Sequence, residues 1–180
     1  IPFIAVIVQH FQYLIGRTEF YSLSLKVSKD CLIPRPETEL LVERAIEFLR
    51  TRTGRQHVCD LCTGSGCIAV AMAKNFRDAS IIATDICDKA LSIAAKNVAK
   101  YNLADKIHLL HGDLFKPIID QLDGKEFDLI VCNPPYISLP EYENLDQKVK
   151  NHEPRLALEA GPEGLDIYRR IAAEVGSHLK

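Results

Sequence analysis

The chain has 180 residues, 47% hydrophobic and 26% charged, with a formal net charge of -2 and a sequence pI of about 6.3. This is the composition of one globular unit with a short appendage, and it excludes a disordered chain. It also excludes a strongly cationic surface that would hold nucleic acid by its phosphates, a local basic patch aside.

The opening IPFIAVIVQHF has no basic region before its apolar run and is too short to span a membrane. It reads as a buried strand or helix piece. Residues 21–28 alternate: Tyr21, Leu23, Leu25 and Val27 on one side, Ser22, Ser24, Lys26 and Ser28 on the other. This predicts a half-buried strand. Lys29-Asp30 reads as a turn and Cys31–Ile33 as its hairpin partner. The prolines and acids of PRPETE, 34–39, predict an extended entry into a helix with Thr38, Val42, Ala45 and Leu49 on one face.

From His57 the pattern becomes α/β. Strands are expected at Val58–Leu61, Ser80–Thr84, Ile107–Leu110 and Phe127–Cys132. Between them lie a small-residue helix, Cys67–Asn75, and a helix capped by Asp88 with Leu91, Ala94, Ala95 and Val98 on one face. Continuous apolar strands alternating with helices predict a parallel sheet covered on both sides. After Tyr136 the pattern reads as mostly loop until Gly164, and then as a final helix carrying Leu165, Tyr168, Ala172 and Val175, with no strand following. The expected division is a hairpin and linking helix over 1–56, a remnant of an N-terminal region, and a catalytic domain over 57–180 lacking its last strands.

Six cysteines are present, and Cys59 and Cys62 form a CxxC. No second CxxC and no histidine at finger spacing accompanies it, so no metal site is expected. The thiols fit a reducing, cytoplasmic compartment, with an organelle such as the mitochondrion left open. No membrane association is expected.

Chemistry concentrates at three strand ends. Cys62-Thr63-Gly64-Ser65-Gly66 joins a strand to a helix, where glycine lets the backbone turn and approach a ligand. Asp85 lies at the distance that suits a ribose diol, so a dinucleotide site is a rival reading, as is a purely structural turn. Asp60, read as lying at the mouth of the site, favours a cationic ligand over a pyrophosphate. Asp113 either accepts from an adenine amino group beside Leu114 or makes a loop turn. Asn133-Pro134-Pro135-Tyr136 is the sharpest signal. The prolines stiffen the loop, Asn133 offers an acceptor and donors, and Tyr136 a ring face, together gripping a planar amide or amine.

These residues resemble the protein-(glutamine-N5) methyltransferases that modify translation release factors. The likeness runs from about Tyr13 to Arg170 and includes Ile15-Gly16, Leu32-Ile33-Pro34-Arg35-Pro36-Glu37-Thr38-Glu39, the Asp60–Ala69 loop, Asp85, Asn133–Ile137, Glu153-Pro154 and Gly164-Leu165. Asn-Pro-Pro-Tyr alone is shared with adenine-N6 nucleic-acid methyltransferases. The resemblance implies a Rossmann-like sheet, S-adenosylmethionine as cofactor and a release factor's Gly-Gly-Gln loop as substrate, with no direct DNA binding. It implies cofactor contacts from Cys62, Thr63, Gly64, Ser65, Gly66, Asp85, Leu114 and Asn133. Asn133, Pro134, Pro135 and Tyr136 are implied to hold the glutamine, and Arg35, Glu37 and Thr38 to border the pocket. Cys62 replaces the family's usual glycine, which would strain the backbone if φ is positive there.

Overall fold

The computed structural model describes residues 11–180; the opening apolar run at 1–10 lies outside them. A helical turn over 11–15 leads into β1 (Arg17–Phe20) and β2 (Leu23–Lys26), an antiparallel hairpin. The hairpin is present, but not the one expected. Tyr21 and Ser22 take φ of 50° and 58° and form a two-residue turn, a geometry that matches strand twist. The partner strand therefore precedes the alternating segment, and Cys31–Ile33 is an extended loop. Alternation could not show this, because a two-residue turn leaves the odd-even pattern unbroken.

Helix α1 (Glu37–Arg50) buries Thr38, Val42, Ala45, Ile46 and Leu49. Then β3 (Gln56–Leu61), α2 (Cys67–Asn75), β4 (Ala79–Asp85), α3 (Asp88–Lys100), β5 (Ile107–His111), α4 (Lys116–Leu122) and β6 (Leu129–Cys132) follow. The four strands β3 to β6 are parallel, in the order β5-β4-β3-β6. Their side chains alternate between two apolar layers. Val58, Ile81, Ala83, Ile107 and Val131 meet α1, α2 and the hairpin. Cys59, Leu61, Ile82 and Ile130 meet α4 and α7 (Asp166–Glu174).

Helix α3 starts at Cys87 without a side-chain cap, so Asp88 is its first residue rather than its cap. Asn97, not Ala95, completes its buried face. Residues 137–163, expected to be mostly loop, include two short helices, α5 (Leu139–Asn144) and α6 (Gln147–His152). Ser138 and Glu141 form a capping box at α5, a Ser-x-x-Glu signal already visible in the sequence. After α7 the chain returns to the sheet: Leu179 bridges Phe127 in parallel on the edge beside β6.

This order places a switch point between β3 and β6, because β3, β4 and β5 run one way across the sheet and β6 lies on the other side of β3. In such sheets a crevice opens at the carboxyl ends of the strands there. The register pairs Leu61 with Thr84 and Cys132, and Asp85 with His111. Cys62, Asp85, Gly112 and Asn133 therefore leave the sheet at nearly one level.

Candidate active site

The loop after β3 is held from below. Asp60 is fully buried, and its Oδ2 accepts from the Thr63 hydroxyl at 2.6 Å and the Ala69 amide at 3.2 Å. Its side chain shares the α2 face of β3, so it is not at the mouth of the site as the sequence reading had it. Pleat parity decides this: residue 60 points with Val58, away from the crevice. Burial pushes its carboxyl up to about 7, and its Oδ1 has no partner among the described residues.

Cys62, Gly64 and Gly66 have φ of 57°, 57° and 76°. The left-handed backbone at Cys62 is therefore real, and there a Cβ costs about 1–2 kcal/mol. The two glycines serve different ends. A Cβ on Gly64 would meet nothing within 4 Å, so its backbone faces open space, whereas one on Gly66 would press on Ala94 Cβ at 3.1 Å. Gly66 lets α2 approach α3; Gly64 lets the loop approach a ligand.

In front of the loop lies a cavity of about 250 Å³, walled by Cys62, Thr63, Gly64 and Ser65 from the loop, with Asp85 and Leu114 facing them. Asp85 accepts from the Gly64 amide at 2.7 Å and the Cys87 amide at 2.9 Å. Burial raises its pKa, and those amides oppose the rise. Leu114 sits at φ 48°, its carbonyl accepting from the Thr84 hydroxyl at 3.1 Å. Asp113 also borders the cavity and is paired with Arg170 at 2.6 Å.

Asn133 and Pro135 belong to this cavity too, while Pro134 and Tyr136 line a second one of about 430 Å³. Asn133, Thr38, Leu32 and Ala157 stand in the wall common to both. The Asn133 amide donates to Thr38 Oγ1 at 3.4 Å, so the start of α1 orients it. The turn is braced from outside: Ile137 N donates to Leu158 O at 2.8 Å and Ala160 N to Ile137 O at 2.9 Å. Arg35 bonds both carboxylate oxygens of the buried Glu153 at 2.6 Å. This ties the PRPETE loop to the end of α6. Tyr136 is exposed, its ring free to meet a planar group.

The sequence-predicted residues thus gather at one sheet edge. Gly66 alone of the loop is absent from the cavity wall. Sequence reasoning missed Leu32, Ala157, Ile167 and Arg170 as wall residues. For the last two a signal existed, since Ile167 and Arg170 are three apart on one helix face. Nothing local marked Leu32 or Ala157.

A parallel sheet with a glycine loop and an Asn-Pro-Pro-Tyr turn at its switch point defines a Rossmann-like methyltransferase fold. The chain belongs to the methyltransferase small domain family, whose model matches residues 37–150. It is 43% identical over 169 residues to a release factor glutamine methyltransferase of Gloeobacter violaceus, covering 94% of this chain and 57% of the relative. It is 45% identical over 170 residues to one of Streptococcus pneumoniae, with 94% and 57% covered. The chain therefore spans just over half the length of these relatives. In three dimensions it is similar to the human hMettl16 catalytic domain in complex with MAT2A 3'UTR hairpin 1. The TM-score is 0.69 at 19% identity, covering 99% of this chain and 75% of that one. At that identity the likeness is one of fold.

Proposed function

We propose that the chain is the catalytic part of a methyltransferase that moves a methyl group from S-adenosylmethionine to the side-chain amide nitrogen of a glutamine, in the Gly-Gly-Gln loop of a peptide chain release factor. The observation that carries this reading is Asn133, standing in the wall between the loop-lined cavity and the one beside Pro134 and Tyr136. The names of the relatives support the substrate, and the six free thiols fit the cytoplasm.

The residues present fit the cofactor. The open approach at Gly64 admits a ligand against the backbone, Asp85 offers carboxylate lone pairs to a ribose diol, and Leu114 an apolar face to a base. S-adenosylmethionine, when bound, supplies a methyl group on a positively charged sulfur. An amide nitrogen is a poor nucleophile because its lone pair is delocalised. Accepting its N–H groups on Asn133 Oδ1 and the Pro134 carbonyl draws electron density back to nitrogen. The Asn133 amide, already oriented by Thr38, has a further N–H for the substrate carbonyl. Tyr136 stacks on the amide plane. Holding the nitrogen in place gives the remaining acceleration by proximity.

Single-turnover transfer from labelled S-adenosylmethionine to a Gly-Gly-Gln protein, and separately to DNA and RNA, tests the assignment. Asn133→Ala and Asn133→Asp should each lower kcat/KM by roughly 10²-fold or more. The cofactor Kd should change far less, and Tyr136→Phe should be milder than either. Near-normal transfer by Asn133→Ala would end the reading. Transfer to a nucleic acid in place of the glutamine would move the chain to the adenine-N6 class.

A further inference from the structure

The CxxC pair reads as a unit in the sequence, but the fold separates it and builds another. Cys59 is fully buried in the layer under α4. Cys62 lies beyond the strand end, in the cavity wall. Its neighbour there is Cys132, because β3 and β6 pair Leu61 with Cys132 and Cys62 is the next residue. Both side chains pack against the same apolar layer, that of Cys59, Leu61 and Phe115. A disulfide spans Cα atoms about 4.4–6.8 Å apart, and strands paired about 4.8 Å apart bring a residue and its partner's next neighbour within that range.

We propose that Cys62 and Cys132 form a dithiol modification site at the edge of the cofactor cavity, which a small-molecule disulfide converts to an intramolecular disulfide joining the glycine loop to the residue before Asn133. The two thiols have distinct parts. Cys62 lines the cavity, where a small-molecule disulfide can reach its sulfur, so it reacts first. Cys132 is held up by its contact with Cys62 and by burial, so it keeps its proton and reacts second.

In the first exchange the Cys62 sulfur bonds to one half of the small-molecule disulfide, whose S–S bond breaks. The other half leaves as a thiolate and takes up a proton. In the second, the Cys132 sulfur loses its proton and bonds to Cys62 Sγ, and the remaining half leaves as a thiol. Two protein thiols are oxidised and one small-molecule disulfide is reduced to two thiols. Cys31 and Cys87, the other nearby pair, have their thiols turned to backbone carbonyls of Ser28 and Asp30 at 3.5 and 3.8 Å.

The experiment treats the native protein with 2-hydroxyethyl disulfide, quenches by alkylation in denaturant and reads intact mass and peptide maps. The expected product has lost two hydrogens and yields one linked peptide pair containing Cys62 and Cys132. Cys132→Ala should stop at a mixed disulfide on Cys62, and Cys62→Gly should form neither. A bridge between Cys31 and Cys87 or between Cys59 and Cys62, a mixed disulfide persisting on Cys62 in the unmutated protein, or no reaction would overturn the proposal. One further arm rests on the cofactor reading. S-adenosylhomocysteine at about ten times its Kd should slow the bridge roughly tenfold. An unchanged rate would count against the cofactor placement while the dithiol pair stands.

Discussion

Asp60 is the last residue but one of β3, its carboxyl enclosed, and burial pushes its pKa from 3.8 up to about 7. The folded molecule then keeps a proton that the unfolded chain releases. Stability from this group is full below about pH 4 and is lost as pH rises through about 7. Asp60→Asn keeps an acceptor for Thr63 and Ala69 and cannot ionise. Its unfolding midpoint should decline less with pH across that window than that of the unmutated protein, as thermal melts at several pH values would read. An unchanged slope would place the titration elsewhere. Cys62 is the other residue under constraint, at φ 57°. Cys62→Gly removes the strain but frees the unfolded chain, so stability should stay within about 1 kcal/mol. Calorimetric affinity for S-adenosylhomocysteine should be equal or tighter; a clear loss would give the thiol a direct part in binding.

At the scale of elements, the Asn-Pro-Pro-Tyr turn is shaped by a segment far away in sequence. A Cβ on Gly164 would fall on the Tyr136 carbonyl and 2.9 Å from Ser138 N, at a φ of 72° that already disfavours it. Gly164→Ala should therefore push the backbone of Tyr136 and Ser138 outward. The expected result is a loss of about 1–3 kcal/mol in stability, with methyl transfer falling by at least tenfold. The Kd for S-adenosylhomocysteine should stay nearly constant, because the glycine loop is untouched. Equal losses of binding and transfer would mean that the whole site had shifted.

Across the whole molecule, Asn97 is the fully buried joint between hairpin, α3 and glycine loop. Its Oδ1 accepts from Lys26 N at 2.7 Å, and its Nδ2 donates to the carbonyls of Lys26 at 3.0 Å and Ser65 at 2.9 Å. Asn97→Ala leaves these backbone groups without partners, at a cost of about 2–4 kcal/mol. Urea unfolding should show it, with the hairpin amides losing protection from hydrogen exchange first. A loss below about 0.5 kcal/mol would mean that water replaces the bonds.

The sequence by itself determined the elements whose patterns are local. Continuous apolar runs gave β3 to β6 and the small-residue run gave α2 to within two residues, helical spacing gave the buried face of α1, and glycine spacing and the rigid Asn-Pro-Pro-Tyr run marked two loops as candidate sites. Chain order alone could not say that β6 returns beside β3. That pairing is non-local, and it alone brings Asn133 to the glycine loop and Cys132 to Cys62. The hairpin partner, the inward turn of Asp60 and the hold of Thr38 on Asn133 were likewise decided in three dimensions. Each depends on which face or neighbour a side chain meets once the sheet is assembled, and residue type does not carry that information.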